Sequence, residues 1–163
     1  MPRQFCKGTE LNKKILAGVN LLADYTAATL GPRGRNVILK TENGNPVITK
    51  DGVTVASHVD LEDPFENVGA QVIKQVSAQT NTSAGDGTTT ATVLARAILN
   101  QSQRYLVAGM SPIELQRGIN LAVTGIVTNL QEMAQPIRSK EDIAHVATIS
   151  ANNDRILGNI VAT

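Results

Sequence analysis

Over residues 10–30 the apolar positions recur at helical spacing. Leu11, Ile15, Val19, Leu22, Thr26 and Leu30 form one stripe, with Leu16 and Ala23 beside it, and this period predicts an amphipathic helix. Gly31-Pro32 ends it, because proline brings no N–H to the helical ladder and clashes with the turn before it. The pattern then shifts to two short β-prone runs, Val37-Ile38-Leu39 and Val47-Ile48-Thr49, with Glu42-Asn43-Gly44-Asn45 between them. Asn-Gly in that position predicts a hairpin. Asp51-Gly52 reads as a further turn.

Three helices follow. Val68, Val72, Ile73 and Val76 mark the first, which gives way to a polar loop over residues 79–87. Val93, Leu94, Ala97, Ile98 and Leu106 mark the second, closed by Gly109. Ser111-Pro112-Ile113-Glu114 opens the third with an N-cap serine, a proline at the first helical position and a glutamate at capping-box spacing. Leu115, Ile119, Ala122, Ile126, Leu130 and Met133 carry its stripe until Pro136, the expected domain boundary. Beyond it, Ser139-Lys140-Glu141-Asp142 starts a short helix with Ile143, Val146 and Ala147, and another begins near Asp154. The pattern is still running at Val161-Ala162-Thr163, without a cap or a glycine stop, so the chain is expected to be part of a longer one. The fold class is mainly α: a helical bundle with one small β-hairpin.

Composition narrows the functions open to such a bundle. Hydrophobic residues make up 42% of the 163 positions, yet only Phe5, Tyr25, Phe65 and Tyr105 are aromatic, so the core is built from Val, Ile, Leu and Ala. That scarcity argues against a stacking platform for single-stranded nucleic acid. The net charge of +1, with acids and bases interspersed, lacks the electrostatic footprint of a nucleic-acid-binding protein. The single cysteine, Cys6, rules out an internal disulfide and fits a reducing compartment. The opening residues hold no apolar signal core and no apolar run is long enough for a bilayer, which leads to the expectation of a soluble, cytoplasmic protein without a membrane partner. His58 and His145 are far apart, with no ligand-spaced Cys or Glu, so a zinc site is not expected.

The candidate chemistry sits in glycine-rich segments. "AGDGTTTATVLA", residues 84–95, enters a helix through Gly85, Gly87 and the threonines Thr88, Thr89 and Thr90. These are poor helix formers. The first N–H groups of a helix have no internal partner and carry the positive end of its dipole, so they receive anions. Glycines let a phosphate approach the backbone, and threonine hydroxyls add donors. Asp86 would repel a phosphate unless a hard cation lay between them, and Mg²⁺ is commonly held by one or two carboxylates plus substrate phosphates. The stretch therefore reads either as a magnesium–phosphate cradle or as a plain N-cap, in which Asp86 or a threonine caps the helix and the glycines merely form a turn. "TLGPRGRNV" at 29–37 is a second glycine-rich turn, or a helix stop; "TKDGVTVA" at 49–56 brings Lys50 and Asp51 to the end of a strand, or is a surface turn. Together the three segments would supply cation ligand, anion donors and a second carboxylate, as phosphoryl transfer to water requires.

In this order "TLGPRGRNV", "ITKDGVTVA" and "GDGTTTATVLA" closely resemble the type I chaperonins, the GroEL family. "GVNLLAD", "LEDPFENVGAQ", "VAGMSPIELQRGI" and "TISANND" agree in register along the whole chain. The likeness covers the N-terminal part of a family member. It implies that residues 1–133 are the first half of an equatorial ATPase domain and residues 134–163 the start of an intermediate hinge domain. It also implies ATP or ADP, Mg²⁺ and K⁺ as ligands. By the same resemblance Thr29, Leu30, Gly31 and Pro32 lie along the nucleotide, Asp86 binds Mg²⁺, and Gly87, Thr88, Thr89 and Thr90 hold phosphate oxygens. Backbone carbonyls at Thr29 and Lys50 would bind K⁺, Asp51 would orient the attacking water, and Ile149 would pack near the base.

The resemblance further implies a homo-oligomeric ring that assists unfolded polypeptides, with a co-chaperonin among the partners. Arg33 departs from the family, which often has lysine there. The family's later aspartate and the returning half of its equatorial domain have no counterpart in these residues. Weak nucleotide affinity and no measurable hydrolysis are therefore expected of the chain by itself. The alternative reading is a truncated, chaperonin-like protein that binds subunits without being an enzyme.

Overall fold

A computed structural model describes residues 4–40 and 44–163. Among them are seven helices and one two-stranded antiparallel hairpin: α1 (Gly8–Ala27), β1 (Val37–Lys40), β2 (Pro46–Thr49), α2 (Gly52–Ser57), α3 (Pro64–Ala84), α4 (Thr88–Val107), α5 (Pro112–Met133), α6 (Lys140–Ser150) and α7 (Arg155–Val161). The protein is thus mainly helical, as its apolar period predicts. The hairpin pairs Val37 with Thr49 and Lys40 with Pro46. Glu42 and Asn43 of the predicted turn lie outside the described residues, while Gly44 has a φ of 81°.

The chain forms two compact units, residues 1–109 and 110–163. In the first, α1, α2, α3 and α4 each pack against the other three. Val19 and Leu22 of α1, Ala56 of α2, and Ala70 and Ile73 of α3 make a buried cluster, with Ile15, Val59, Leu61, Ala95 and Leu99 against it. No aromatic side chain enters this cluster, and its small members let the backbones come close. Ser77 and Thr92 are buried in the same unit, and their hydroxyls have no hydrogen-bond partner among the described residues.

Two local features of the first unit differ from the sequence expectation. Asp51-Gly52 is not an isolated turn but the start of α2, with Asp51 as N-cap. The polar stretch after Gln79 continues α3 to Ala84, with the Thr80 and Thr82 hydroxyls donating back to the carbonyls of Val76 and Ala78. Left-handed Gly85 then ends the helix. At α3's other end Asp63 accepts from the N–H groups of Phe65 and Glu66 and from the Lys14 ammonium of α1. This ties the start of α3 to α1.

In the second unit α5 follows its predicted stripe, with Pro112 in its first turn, but Ser111 makes no side-chain cap bond. α6 does have a capping box, formed between Ser139 and Asp142. α7, capped by Asp154, packs on α6 with buried Gly158 against Thr148. No helix among the described residues is long and apolar enough to cross a membrane.

Candidate functional site

The first glycine-rich segment is a tight loop hung on the C-terminal end of α1. Thr29 and Leu30 donate their N–H groups to Thr26 and Ala27, and the Thr29 hydroxyl donates to the Thr26 carbonyl at 2.8 Å. Gly31 supplies a φ of 72°, and the chain doubles back through Gly34 N–H to Gly31 O and Arg35 N–H to Ala28 O. Gly34 has no room for a side chain, since a Cβ there would lie 2.2 Å from the Thr29 carbonyl oxygen. Thr29 is buried, whereas Leu30, Gly31 and Pro32 face outward.

The second segment leaves β2 at Thr49, whose hydroxyl accepts from Asp51 N–H at 3.0 Å. Asp51 caps α2: its Oδ2 accepts from the N–H of Thr54 at 2.9 Å and from the Thr54 hydroxyl. No donor among the described residues is bonded to Oδ1 of Asp51. Lys50 and Asp51 are exposed, and Gly52 is buried directly behind them.

The third segment crosses from α3 to α4 in three residues, Gly85, Asp86 and Gly87. Gly85 and Gly87 both take left-handed backbone, with φ of 71° and 82°. Gly87 is the N-cap of α4 and no side chain caps that end. Asp86 does not reach forward to cap it either, because its Oδ1 accepts from the N–H of Gly87, next to it, at 2.6 Å. Aspartate or serine side chains cap α2, α3, α6 and α7, while α1 and α5, like α4, have no such bond. Of the two readings open for this stretch, the plain side-chain cap is the one not formed.

The three segments meet at one end of the first unit. The hydroxyls of Thr29 and Thr89 are 3.5 Å apart. A Cβ on Gly52 would lie 2.1 Å from the Thr89 hydroxyl and 3.1 Å from the Thr26 methyl. Thr89 therefore touches both Thr29 and Gly52, and the three carry their chain neighbours with them: Leu30 to Pro32, Lys50 and Asp51, and Asp86 to Thr90. Thr88 is buried, Thr89 is half-buried and Thr90 is exposed.

Such a corner can receive an anion at the N–H groups of the first turn of α4, with hydroxyls beside them and Asp86 at the rim. No cluster of three or more His, Cys, Asp or Glu able to hold a metal occurs among the described residues. Asp86 would then serve as a lone protein carboxylate, the arrangement suited to a cation completed by phosphate and water.

Ile149 is not among these contacts. It lies on α6 in the second unit, 70% exposed, in the wall of an open cleft of about 740 Å³ between α6 and α7. That cleft also presents Glu141, His145, Thr148 and Arg155. Sequence reading missed three residues that shape the corner: Gly34, Gly52 and Thr26. Gly34 and Gly52 left traces as parts of turn signals, and Thr26 as a member of the α1 stripe, but none of them as a residue of the corner.

A model of the TCP-1/cpn60 chaperonin family matches residues 22–163, which takes in all three segments.

Proposed function

The chain belongs to the TCP-1/cpn60 chaperonin family, and on that premise we propose that it serves in an ATP-driven protein-folding machine, binding Mg-ATP at the corner where α1, α2 and α4 meet. The observation that carries this reading is the contact of Thr29 and Thr89 beside an α4 N-terminus that no side chain caps. An anion completes what the helix leaves open: partnerless N–H groups, the positive end of the dipole and adjacent hydroxyls.

In this proposal the N–H groups of Thr88, Thr89 and Thr90 face the phosphate oxygens, and left-handed Gly87 lets the phosphate close on the backbone. The Thr29 hydroxyl donates its hydrogen bond to the Thr26 carbonyl, so Thr89 is the donor of the pair, free to turn from Thr29 to an anion. Asp86 holds Mg²⁺, which when bound offsets phosphate charge and gives the carboxylate a reason to stand there. The carbonyls of Thr29 and Lys50 hold K⁺. Among the described residues no hydrogen bond ends on the Thr29 carbonyl, which suits it to a cation. Asp51 keeps Oδ2 for its cap and turns Oδ1 to a water, orienting it toward the γ-phosphate. Leu30 to Pro32 lie along the nucleotide.

Residues 1–133 are assigned to the equatorial domain and residues 134–163 to the intermediate hinge. The working state is a homo-oligomeric ring in the cytoplasm, acting on unfolded polypeptides with a co-chaperonin.

Amide NMR of the chain titrated with ADP tests the site. Magnesium-dependent shifts should appear at Gly31, Lys50 and Gly87 through Thr90, at affinity on the order of millimolar. Shifts confined to other residues, or none at saturating nucleotide, would remove the assignment.

A further inference from the structure

We propose that Gly52 is a positioning residue for Thr89: the missing side chain at 52 sets which way the Thr89 hydroxyl points. The inference deepens the nucleotide reading above and rests on it for its functional consequence, but not for its geometry.

Gly52 opens α2 from a buried place, with α1 on one side and α4 on the other. A Cβ there would meet the Thr89 Oγ1 at 2.1 Å, the Thr26 Cγ2 at 3.1 Å and the Thr89 Cβ at 3.2 Å. The first distance is far inside any non-bonded carbon–oxygen contact, while the other two need shifts of only a few tenths of an ångström. The cheapest relief is rotation of Thr89 about χ1. A helical threonine has two accessible χ1 wells, unlike valine or isoleucine. Rotation moves the hydroxyl off the side where it lies 3.5 Å from Thr29, and it relieves the contact by bringing the Cβ hydrogen, not the methyl, to face Gly52. The φ of Gly52 is not in the left-handed region, so backbone conformation does not demand glycine at this position. Space for the Thr89 hydroxyl does.

Thr89 is thereby held between two neighbours of different kind. Gly52 leaves a slot that fits an oxygen, and Thr29, its own proton committed to Thr26, offers an acceptor. A hydroxyl parked in this way is pre-oriented for an anion at the α4 N-terminus, and its rotamer need not be ordered at the moment of binding.

The experiment measures Thr89 χ1 through its three-bond couplings to Cγ2, alongside MgADP titrations, in the wild type, Gly52→Ala, Thr89→Ala and the double variant. The couplings should report one rotamer in the wild type and a different one in Gly52→Ala. MgADP affinity should fall roughly tenfold in Gly52→Ala, the scale of one hydrogen bond to a charged group. Because Thr89→Ala has already removed the hydroxyl, adding Gly52→Ala to it should cost no further affinity. An unchanged χ1 in Gly52→Ala, or losses that add in the double variant, would overturn the proposal, since damage to packing alone behaves that way. If Gly52→Ala does not fold, recovery of folding in the double variant supports the contact, and failure to recover refutes it. If MgADP leaves the wild-type amides unmoved, the nucleotide reading fails, and the couplings still decide whether Gly52 sets the rotamer.

Discussion

Gly18 of α1 lies against the carbonyl oxygen of Glu66 in α3, so close that a Cβ would sit 1.8 Å from it. The contact is reciprocated one turn along, where a Cβ on Gly69 of α3 would sit 2.0 Å from the Ile15 carbonyl oxygen of α1. Backbone meets backbone here, so no side-chain rotation can make room. Gly18→Ala or Gly69→Ala must push the helices apart, with a net loss of about 1–3 kcal/mol despite alanine's better helix propensity. Gly118 and Gly125 of α5 have nothing within 4 Å of a built Cβ. Alanine there should be neutral or stabilise by up to about 1 kcal/mol. Urea denaturation of the four variants checks both halves, and similar effects at all four positions would contradict the packing account.

These glycines mark the limit of what the sequence discloses. The stripes of α1 and α5 are legible because period 3.6 repeats over many turns. α2 is not, since six residues hold too little period and Asp51-Gly52 has the signature of a turn. The last turns of α3 read as loop because Thr80 and Thr82 have low helix propensity, and their back-bonds are invisible without the helix. The capping box predicted at Ser111 is absent while that of Ser139 and Asp142 forms, although both have a serine with an acid three residues on. At the site, the glycine-rich segments are visible one by one. That Thr89 touches both Thr29 and Gly52 depends on how α1, α2 and α4 approach, which no local pattern encodes.

The junction of α1 and α3 should also respond to pH. The Lys14 hydrogen bond holds Asp63 below the usual carboxylate range, aided by the N–H groups of Glu66 and Phe65 and opposed by desolvation. The same bond raises Lys14 above its ordinary value. A depressed carboxylate stabilises the fold above its unfolded-state pKa, near 4, and loses that contribution as pH falls through the lower folded value. A raised ammonium contributes below its unfolded-state pKa, near 10.4, and loses this as pH rises through the folded value. Asp63→Asn retains a capping side chain and loses the charge. Its stability deficit should be flat from about pH 5 to 9 and shrink on acidification below about pH 4. A deficit that stays constant into strong acid would show that the charge of Asp63 contributes nothing.

Asp51 combines two roles that substitution can separate. Its Oδ2 caps α2 through Thr54, and asparagine is about as good a cap as aspartate. Asp51→Ala should destabilise the chain by about 1 kcal/mol, and Asp51→Asn by a few tenths. Both should bind MgADP within about twofold of the wild type, because a residue that orients water does not hold the diphosphate. Urea denaturation and the amide titration measure the two effects. A large loss of MgADP affinity in Asp51→Asn would move Asp51 into the binding set and away from the water.

Asp86 makes the sharpest forecast, because its charge works against the ligand unless a cation intervenes. Its Oδ1 is bonded only to the adjacent Gly87 N–H among the described residues, and it is exposed at the rim of α4. Without Mg²⁺ a carboxylate a few ångströms from a phosphate costs about 1 kcal/mol in a solvated site. With Mg²⁺ the sign reverses, since the carboxylate becomes a ligand of the ion that the phosphates share. Asp86→Ala should therefore raise Mg-free ADP affinity by roughly three- to tenfold and abolish the gain that magnesium gives the wild type. A merely structural role predicts equal losses with and without magnesium. Parallel titrations with MgCl₂ and with EDTA decide between them, and a variant that keeps the wild-type magnesium dependence would show that the ion is held by other groups.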